Sequence, residues 1–143
     1  MDVRMGRMSK GERRQMMTRV PPLAGDLIKR EVQALGCHYS DYIAYVMCQH
    51  AGVPMNLPVG EVDQHPEPRE APGNRVEFNS RVPVAAASVV TDEADRMGVS
   101  IADYVGKVLC DRLEVPFEPR IKKKALKAWA KAAEAGEQMR MTG

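Results

Sequence analysis

The sequence contains one internal repeat, and this repeat limits the possible folds more than any other feature. Residues 15–54 align without a gap on residues 77–116, at an offset of 62 positions, with twelve identities in forty pairs. Unrelated segments of this length share about two or three identities, because roughly one position in seventeen matches by chance. A unit of about forty residues buries too little apolar surface to be stable alone. We therefore predict that the two copies pack against each other.

Each copy opens with a short segment in which apolar and polar residues alternate. This period of two predicts strands over residues 15–20 and 77–82, each with one polar face. Pro21 and Pro83 should end the strands and open helices, because the first helical turn does not use the N–H that proline lacks. The side chains expected to face the core are Met16, Thr18, Val20, Val76, Phe78, Ser80 and Val82.

Two amphipathic helices are predicted in each copy. Apolar residues at helical spacing predict first helices over residues 23–35 and 85–97, which Gly36 and Gly98 terminate. The second helices begin almost at once after these glycines and carry similar apolar stripes. Each copy therefore offers two helix faces and one strand face to a common core.

The starts of the second helices carry different capping signals. In copy two, Ser100 with Asp103 three residues later resembles a capping box. In copy one, either Ser40 or His38 is the expected cap. Gly106 lies inside the second helix of copy two, where it costs helix stability, and we interpret it as the mark of a close helix crossing.

The segments outside the copies differ in charge. Residues 1–14 carry five basic and two acidic side chains, and residues 118–143 carry seven basic and three acidic ones. Residues 55–74 are acidic, contain four prolines and lack periodicity, so they are predicted to form an extended linker that lets copy two fold back. Basic ends on a near-neutral chain indicate an anionic partner, of which nucleic acid is the usual one; solvated tails are the alternative.

The basic tail is predicted to form a helix over residues 120–135. Its weak apolar stripe includes Trp129, the only tryptophan, which is expected to dock on its own domain or on a protein partner. The three cysteines are odd in number and lack metal-like spacing, which favours a reducing compartment. Cys48 and Cys110 are equivalent in the repeat; we interpret them as small core residues, with an approach across a pseudo-two-fold axis as the alternative.

Several functional classes receive no support from the sequence. No run of residues is long and apolar enough to span a bilayer, and the first residues lack the apolar core of a secretory signal. No nucleophile–base pair, metal-ligand spacing or phosphate-binding loop is visible. We therefore expect no enzyme activity, no cofactor, no metal and no membrane partner, and a cytoplasmic location.

The order of elements in each copy resembles the ribbon–helix–helix family of MetJ/Arc-type DNA-binding proteins. This order is a strand, a proline, a helix, a glycine and a second helix. The matching segments are EFNSRVP at residues 77–83 and MGVS at 97–100, and more loosely residues 15–21 and 35–38. The resemblance covers both copies, about 80 of the 143 residues. It implies a mainly α fold with a two-stranded antiparallel β-ribbon, formed here within one chain as a pseudo-dimer and followed by a C-terminal helix. The predicted organisation is a basic arm (1–14), copy one (15–54), an acidic linker (55–74), copy two (75–117) and a basic, helical tail (118–143).

Pairing of the two strands would turn their polar faces outwards together, and a two-stranded ribbon fits the DNA major groove. Arginine can read guanine there, and asparagine or glutamine can read adenine. By resemblance, the base-reading positions correspond to Gln15, Met17, Arg19, Glu77, Asn79 and Arg81. Phosphate contacts are expected from Ser40, Ser100, Arg13, Arg14 and Arg75.

Two of the six outward positions depart from a polar, cationic reading surface. Met17 offers only apolar contact, for instance to a thymine methyl group. Glu77 leaves three alternatives: it accepts a hydrogen bond from cytosine, it pairs with Arg75 or Arg81, or it repels phosphate. Because the two halves carry different residues, the expected DNA site is asymmetric, unlike the palindrome that a homodimer requires. The alternative is that this face is only solvated.

These features lead to three functional hypotheses. The first is a sequence-specific DNA-binding protein, most simply a transcriptional repressor, bacterial nucleoid-associated or phage-encoded, acting as a monomeric pseudo-dimer or a higher assembly on double-stranded DNA. The second is the antitoxin of a toxin–antitoxin pair, with residues 118–143 binding the toxin. The third is a protein–protein interaction module, for which Met17 and Glu77 are the best support.

Overall fold

The computed structural model describes residues 12–142, which form five helices and one antiparallel sheet of three strands. Most of the basic arm therefore lies outside the described residues, although Arg13 and Arg14, assigned to the arm, belong to the first strand. The four helices of the two copies and both of their strands confirm the sequence prediction. In chain order, the elements are β1 (Arg13–Val20), α1 (Pro22–Leu35), α2 (Tyr39–Ala51), β2 (Arg69–Ala71), β3 (Arg75–Pro83), α3 (Val84–Met97), α4 (Ile101–Leu113) and α5 (Lys123–Thr142).

The strands of the two copies pair with each other within one chain. β1 runs antiparallel to β3, with Met17 opposite Asn79 and Val20 opposite Val76. Met17 and Asn79 occupy the same position in the repeat, so the pairing is centred on two equivalent residues. The alternation predicts the buried face well, since Met16, Thr18, Val20, Phe78, Ser80 and Val82 are all buried.

The ribbon was predicted to have two strands, but β2 makes it a sheet of three. β2 pairs antiparallel with the start of β3, so the sheet order is β1-β3-β2. Gly73 and Asn74 reverse the chain between them with φ values of 76° and 55°, in the left-handed region that glycine and asparagine tolerate best. The pairing covers the part of the β3 edge that would otherwise stay open.

The remainder of the predicted linker is also packed rather than extended as a free spacer. Met55 and Leu57 are partly buried against the core. The Tyr39 hydroxyl donates a hydrogen bond to the Pro66 carbonyl at 2.7 Å, and His65 Nε2 lies 3.0 Å from the Cys37 carbonyl oxygen. The polar, proline-rich composition therefore predicted a free linker, whereas the segment packs along the surface of copy one.

The two copies form one shared core because each second helix covers the other copy's strand. α4 packs against β1, and α2 packs against β3. Gly106 marks the closest approach: a Cβ added there would lie 2.3 Å from the Arg19 carbonyl oxygen. The sequence interpretation of a helix crossing at Gly106 is therefore wrong, since the close neighbour is the strand backbone.

Both second helices begin at a cap residue that the sequence predicted, but only the cap of copy two forms a side-chain hydrogen bond. Ser100 is the N-cap of α4, and its hydroxyl accepts a hydrogen bond from the Asp103 N–H at 3.1 Å. In copy one the N-cap is His38, which makes no side-chain cap bond. Ser40 lies in the first turn of α2, and its hydroxyl accepts a hydrogen bond from the Arg81 N–H on β3 at 3.1 Å.

A polar cluster joins three helices from both copies. The Tyr104 hydroxyl donates to Glu93 Oε1 at 2.5 Å, and His50 Nε2 lies 2.7 Å from the same oxygen. These contacts lower the pKa of Glu93, while burial and the Glu93 carboxylate raise the pKa of Tyr104. The cluster therefore holds α2, α3 and α4 together with a carboxylate that stays ionised to lower pH than usual.

The described cysteines are core residues. Cys37, Cys48 and Cys110 are buried and unbridged. Burial raises the pKa of Cys48, and it raises the pKa of Cys110 to about 11. Their thiols thus stay protonated near neutral pH, which confirms the interpretation as small apolar residues.

The start of the tail helix α5 and the residue before it contact copy two at Gly98. The Lys122 N–H donates to the Gly98 carbonyl at 2.7 Å, and a Cβ on Gly98 would lie 2.9 Å from Trp129 Cη2. Trp129 therefore rests on its own domain, one of its two predicted neighbours, with 44% of its surface exposed. Over residues 12–142, no helix is long and apolar enough to cross a membrane.

Candidate nucleic-acid interface

The predicted outward residues lie together on one face of the ribbon, which we call the outer face. Residues at odd positions of β1 and β3 point away from the helices, because successive side chains of a strand alternate between its two sides. The register forms three opposite pairs from the predicted base-reading residues, which are Gln15 with Arg81, Met17 with Asn79, and Arg19 with Glu77. The strand pairing thus brings all six predicted base-reading residues onto one surface.

Contacts within the outer face distinguish its two ends. At one end, Arg19 Nε lies 3.4 Å from Glu77 Oε1, and the Glu77 side chain is only 14% exposed. Among the alternatives for Glu77, pairing with Arg75 or Arg81 is wrong, because the register places Arg19 opposite to it. The Glu77 carboxylate is held against Arg19 and has little surface free for a ligand.

The other end of the outer face carries an exposed arginine. Arg81 is exposed and makes no ion pair within residues 12–142. Its main chain is fixed, because its N–H donates to Ser40 and its carbonyl accepts a hydrogen bond from Arg13 Nη1 at 2.9 Å. Beside it, Gln15 Nε2 donates to Asn79 Oδ1 at 3.4 Å. The backbone of Arg81 is therefore fixed while its side chain stays exposed.

The predicted phosphate-contacting residues lie around the ends of the outer face. Ser40 lines a cleft of about 340 Å³ with Gln15, Asn79 and Arg81. Arg14 is exposed at the start of β1. It lies on the same side of the strand as Met16 and Thr18, whose side chains face the helices. Arg13 is held by its bond to the Arg81 carbonyl.

Arg75 is fixed more firmly than the other predicted phosphate contacts. Its Nη1 lies 2.9 Å from Asp103 Oδ1, and its guanidinium lies 4.9 Å from the centre of the Phe117 ring. It lines a cleft of about 530 Å³ at the start of α4, which we call the α4 cleft. The cleft is lined by Arg19, Pro72, Gly73, Arg75, Ser100, Asp103, Arg120 and Lys122.

No family model, curated protein or solved structure matched this chain. Within residues 12–142, no group of three histidine, cysteine, aspartate or glutamate side chains is arranged to hold a metal ion.

The sequence prediction did not include three residues of the surface beside the outer face, which are Gly73, Arg120 and Lys122. Arg120 and Lys122 were counted only as part of a basic tail, but they line the α4 cleft. Gly73 belongs to the turn before β3. The Gly-Asn pair after Pro72 is a hairpin signal from which this turn was predictable. No local signal reveals the position of Arg120 and Lys122, which depends on a long-range contact at Gly98.

Proposed function

We propose that this chain is a sequence-specific double-stranded DNA-binding protein and acts as a transcriptional repressor. In this proposal the chain is a tandem ribbon–helix–helix pseudo-dimer that inserts the outer face into a major groove. The observation that carries the proposal is the antiparallel pairing of β1 with β3 about Met17 and Asn79, two equivalent residues of the repeat. Because the pairing is centred on equivalent residues, a single chain can form a pseudo-symmetric ribbon. A major groove accommodates a ribbon of this kind.

The chemistry of the outer face supports contact with bases. Arg81 can donate two hydrogen bonds to guanine, and Gln15 and Asn79 have amides that match adenine. These three side chains are exposed, whereas Glu77 is largely covered by its pairing with Arg19. The half of the ribbon around Arg81 therefore presents more free hydrogen-bonding groups than the half around Arg19, and the DNA site should be asymmetric.

Selection of duplexes from a random DNA pool tests the proposal. We expect the wild-type protein to enrich one non-palindromic motif and the Arg19→Ala/Asn79→Ala/Arg81→Ala variant to lose it. The matched control is Arg30→Ala/Arg96→Ala, which removes two exposed arginines of α1 and α3 and should keep the motif.

Other outcomes of this selection would contradict the proposal in different ways. A palindromic motif would mean that equivalent strands pair between two chains on DNA. Weak, salt-sensitive binding without an enriched motif, shared by wild type and variant, would leave only nonspecific contact by the basic segments.

A charge change at Glu77 gives a second test. Glu77→Gln should strengthen binding to a duplex of unrelated sequence on the order of threefold to tenfold, because it removes an anion near phosphates and releases Arg19. Fluorescence anisotropy at two salt concentrations measures this change. Glu70→Gln is the matched control: Glu70 on β2 is opposite Val76, on the other side of the sheet, and should leave affinity nearly unchanged. An equal gain for both variants would assign the effect to net charge alone.

The exposed side of α5 favours a second candidate, a protein-binding function such as that of an antitoxin. Leu126 and Trp129 are 50% and 44% exposed, and nearly every described side chain of this helix is open to solvent. A partly exposed apolar pair on a helix suits a protein groove. Failure of the duplex selection to enrich any motif would favour this candidate over DNA recognition.

A further inference from the structure

The α4 cleft concentrates positive charge beside the outer face. It brings together four cationic side chains, Arg19, Arg75, Arg120 and Lys122. Asp103 in the lining pairs with Arg75, and Glu77 outside the lining pairs with Arg19. Arg19 belongs to both surfaces, since it lies on the outer face of β1 and also lines the cleft. Whatever contacts the outer face at Arg19 therefore lies next to the cleft.

Backbone contacts fix the two cations that come from the segment after copy two. Asp103 Oδ2 accepts a hydrogen bond from the Arg120 N–H at 3.2 Å, and the Lys122 N–H donates to the Gly98 carbonyl at 2.7 Å. The side chains of Arg120 and Lys122 are exposed and have no carboxylate partner within residues 12–142. Their main chain is thus held while their charges remain free for an external anion.

The corresponding place in copy one lacks these charges. At the offset of 62, Arg120 and Lys122 correspond to Pro58 and Gly60. The cleft there measures about 330 Å³, and within residues 12–142 Arg13 is its only cationic lining residue. Within the described residues, the cleft at the copy-two end of the ribbon therefore has more cationic lining residues than the cleft at the copy-one end.

We infer that the α4 cleft binds a phosphate of the DNA backbone and anchors the copy-two end of the ribbon more tightly than the copy-one end. This inference rests on the proposed DNA-binding function. Guanidinium and ammonium groups bind phosphodiester oxygens by charge-assisted hydrogen bonds and release counterions from the duplex. The phosphate is the one beside the base that Arg19 faces, and Arg120 and Lys122 are its added ligands.

The test compares Arg120→Ala/Lys122→Ala with the charge-matched Arg30→Ala/Arg96→Ala variant on the selected duplex. We expect the first pair to raise Kd about tenfold or more, and to reduce the slope of log Kd against log salt by about 1, because roughly one counterion is released per phosphate contact. The preferred sequence should not change. Equal Kd values and slopes for the two variants would overturn the inference.

Phosphate ethylation interference locates the contact. With wild-type protein, ethylation should interfere on one flank of the asymmetric motif more than on the other, and the Arg120→Ala/Lys122→Ala variant should lose this difference. Symmetric interference with wild type would overturn the inference while leaving the proposed function intact. Absence of any enriched motif in the selection would instead remove the proposed function.

A thermal-shift measurement without DNA separates the backbone from a free anion. If millimolar inorganic phosphate raises the Tm of wild type but not of Arg120→Ala/Lys122→Ala, and both bind the duplex equally, the cleft serves a dissolved anion and the assignment to DNA is wrong. A loss of duplex affinity in the double variant, with no effect of phosphate on either Tm, supports the assignment to the DNA backbone.

Discussion

Replacing Gly106 by alanine is expected to lower the free energy of unfolding by about 2–3 kcal/mol, as overpacked core positions do. The added Cβ would lie 2.3 Å from the Arg19 carbonyl oxygen and 3.3 Å from its carbonyl carbon. These atoms belong to the backbone of β1, which is paired along its length with β3 and cannot move alone. Relief of the overlap therefore requires α4 to move away from the sheet and to loosen the packing of the core.

The sign of this effect is informative because the intrinsic helix propensity acts in the opposite direction. Alanine in place of glycine stabilises a helix interior by about 1 kcal/mol. Gly136→Ala on α5 is the matched control, since nothing lies within 4 Å of an added Cβ there. We expect Gly106→Ala to lower the midpoint of urea unfolding and Gly136→Ala to leave it unchanged or slightly raised.

The same position in copy one shows that the close contact is particular to α4. Ala44 corresponds to Gly106 and is fully buried, so α2 accommodates a methyl group where it crosses β3. The two helices thus approach the ribbon differently in spite of the repeat. An unchanged or raised unfolding midpoint for Gly106→Ala would mean that α4 does not pack on β1 as closely as described.

The elements with a local periodic signal were predictable from the sequence. Alternation before Pro21 and Pro83 predicted β1 and β3, and the stop at Gly98 matches the end of α3 at Met97. The outer face followed from the same alternation, because side chains two apart on a strand point the same way. The repeat then predicted that the two strands belong together.

Features that depend on long-range contacts were not predictable in the same way. β2 has only three residues, too few for a periodic pattern, and it forms because the turn at Gly73 and Asn74 returns the chain to β3. The Arg19–Glu77 pair required the register of β1 on β3, which alternation alone does not define. Prediction of the α4 cleft would have required knowledge of the hydrogen bond between Lys122 and Gly98. No sequence pattern links the two segments that contain these residues.

Replacing Arg81 by alanine is expected to weaken binding to the selected DNA motif by about 1–3 kcal/mol, or roughly fivefold to 150-fold in Kd. Arg81 is exposed on the outer face and pairs with no carboxylate within residues 12–142. Arg19 occupies the equivalent position of the repeat but lies 3.4 Å from Glu77, from which its guanidinium must be released before it contacts a base. The loss for Arg81→Ala should therefore exceed the loss for Arg19→Ala.

Stability and charge controls separate base reading from other roles of Arg81. The contacts that fix this part of β3 use the Arg81 N–H and carbonyl groups, so the alanine variant should keep the Tm of wild type. Arg81→Lys keeps the charge but cannot form the two parallel hydrogen bonds that guanine accepts from arginine. It should retain affinity for unrelated duplexes and lose most of the preference for the motif. If Arg81→Lys binds the motif like wild type, the side chain acts as a point charge on phosphate, and the outer face does not read bases at this position.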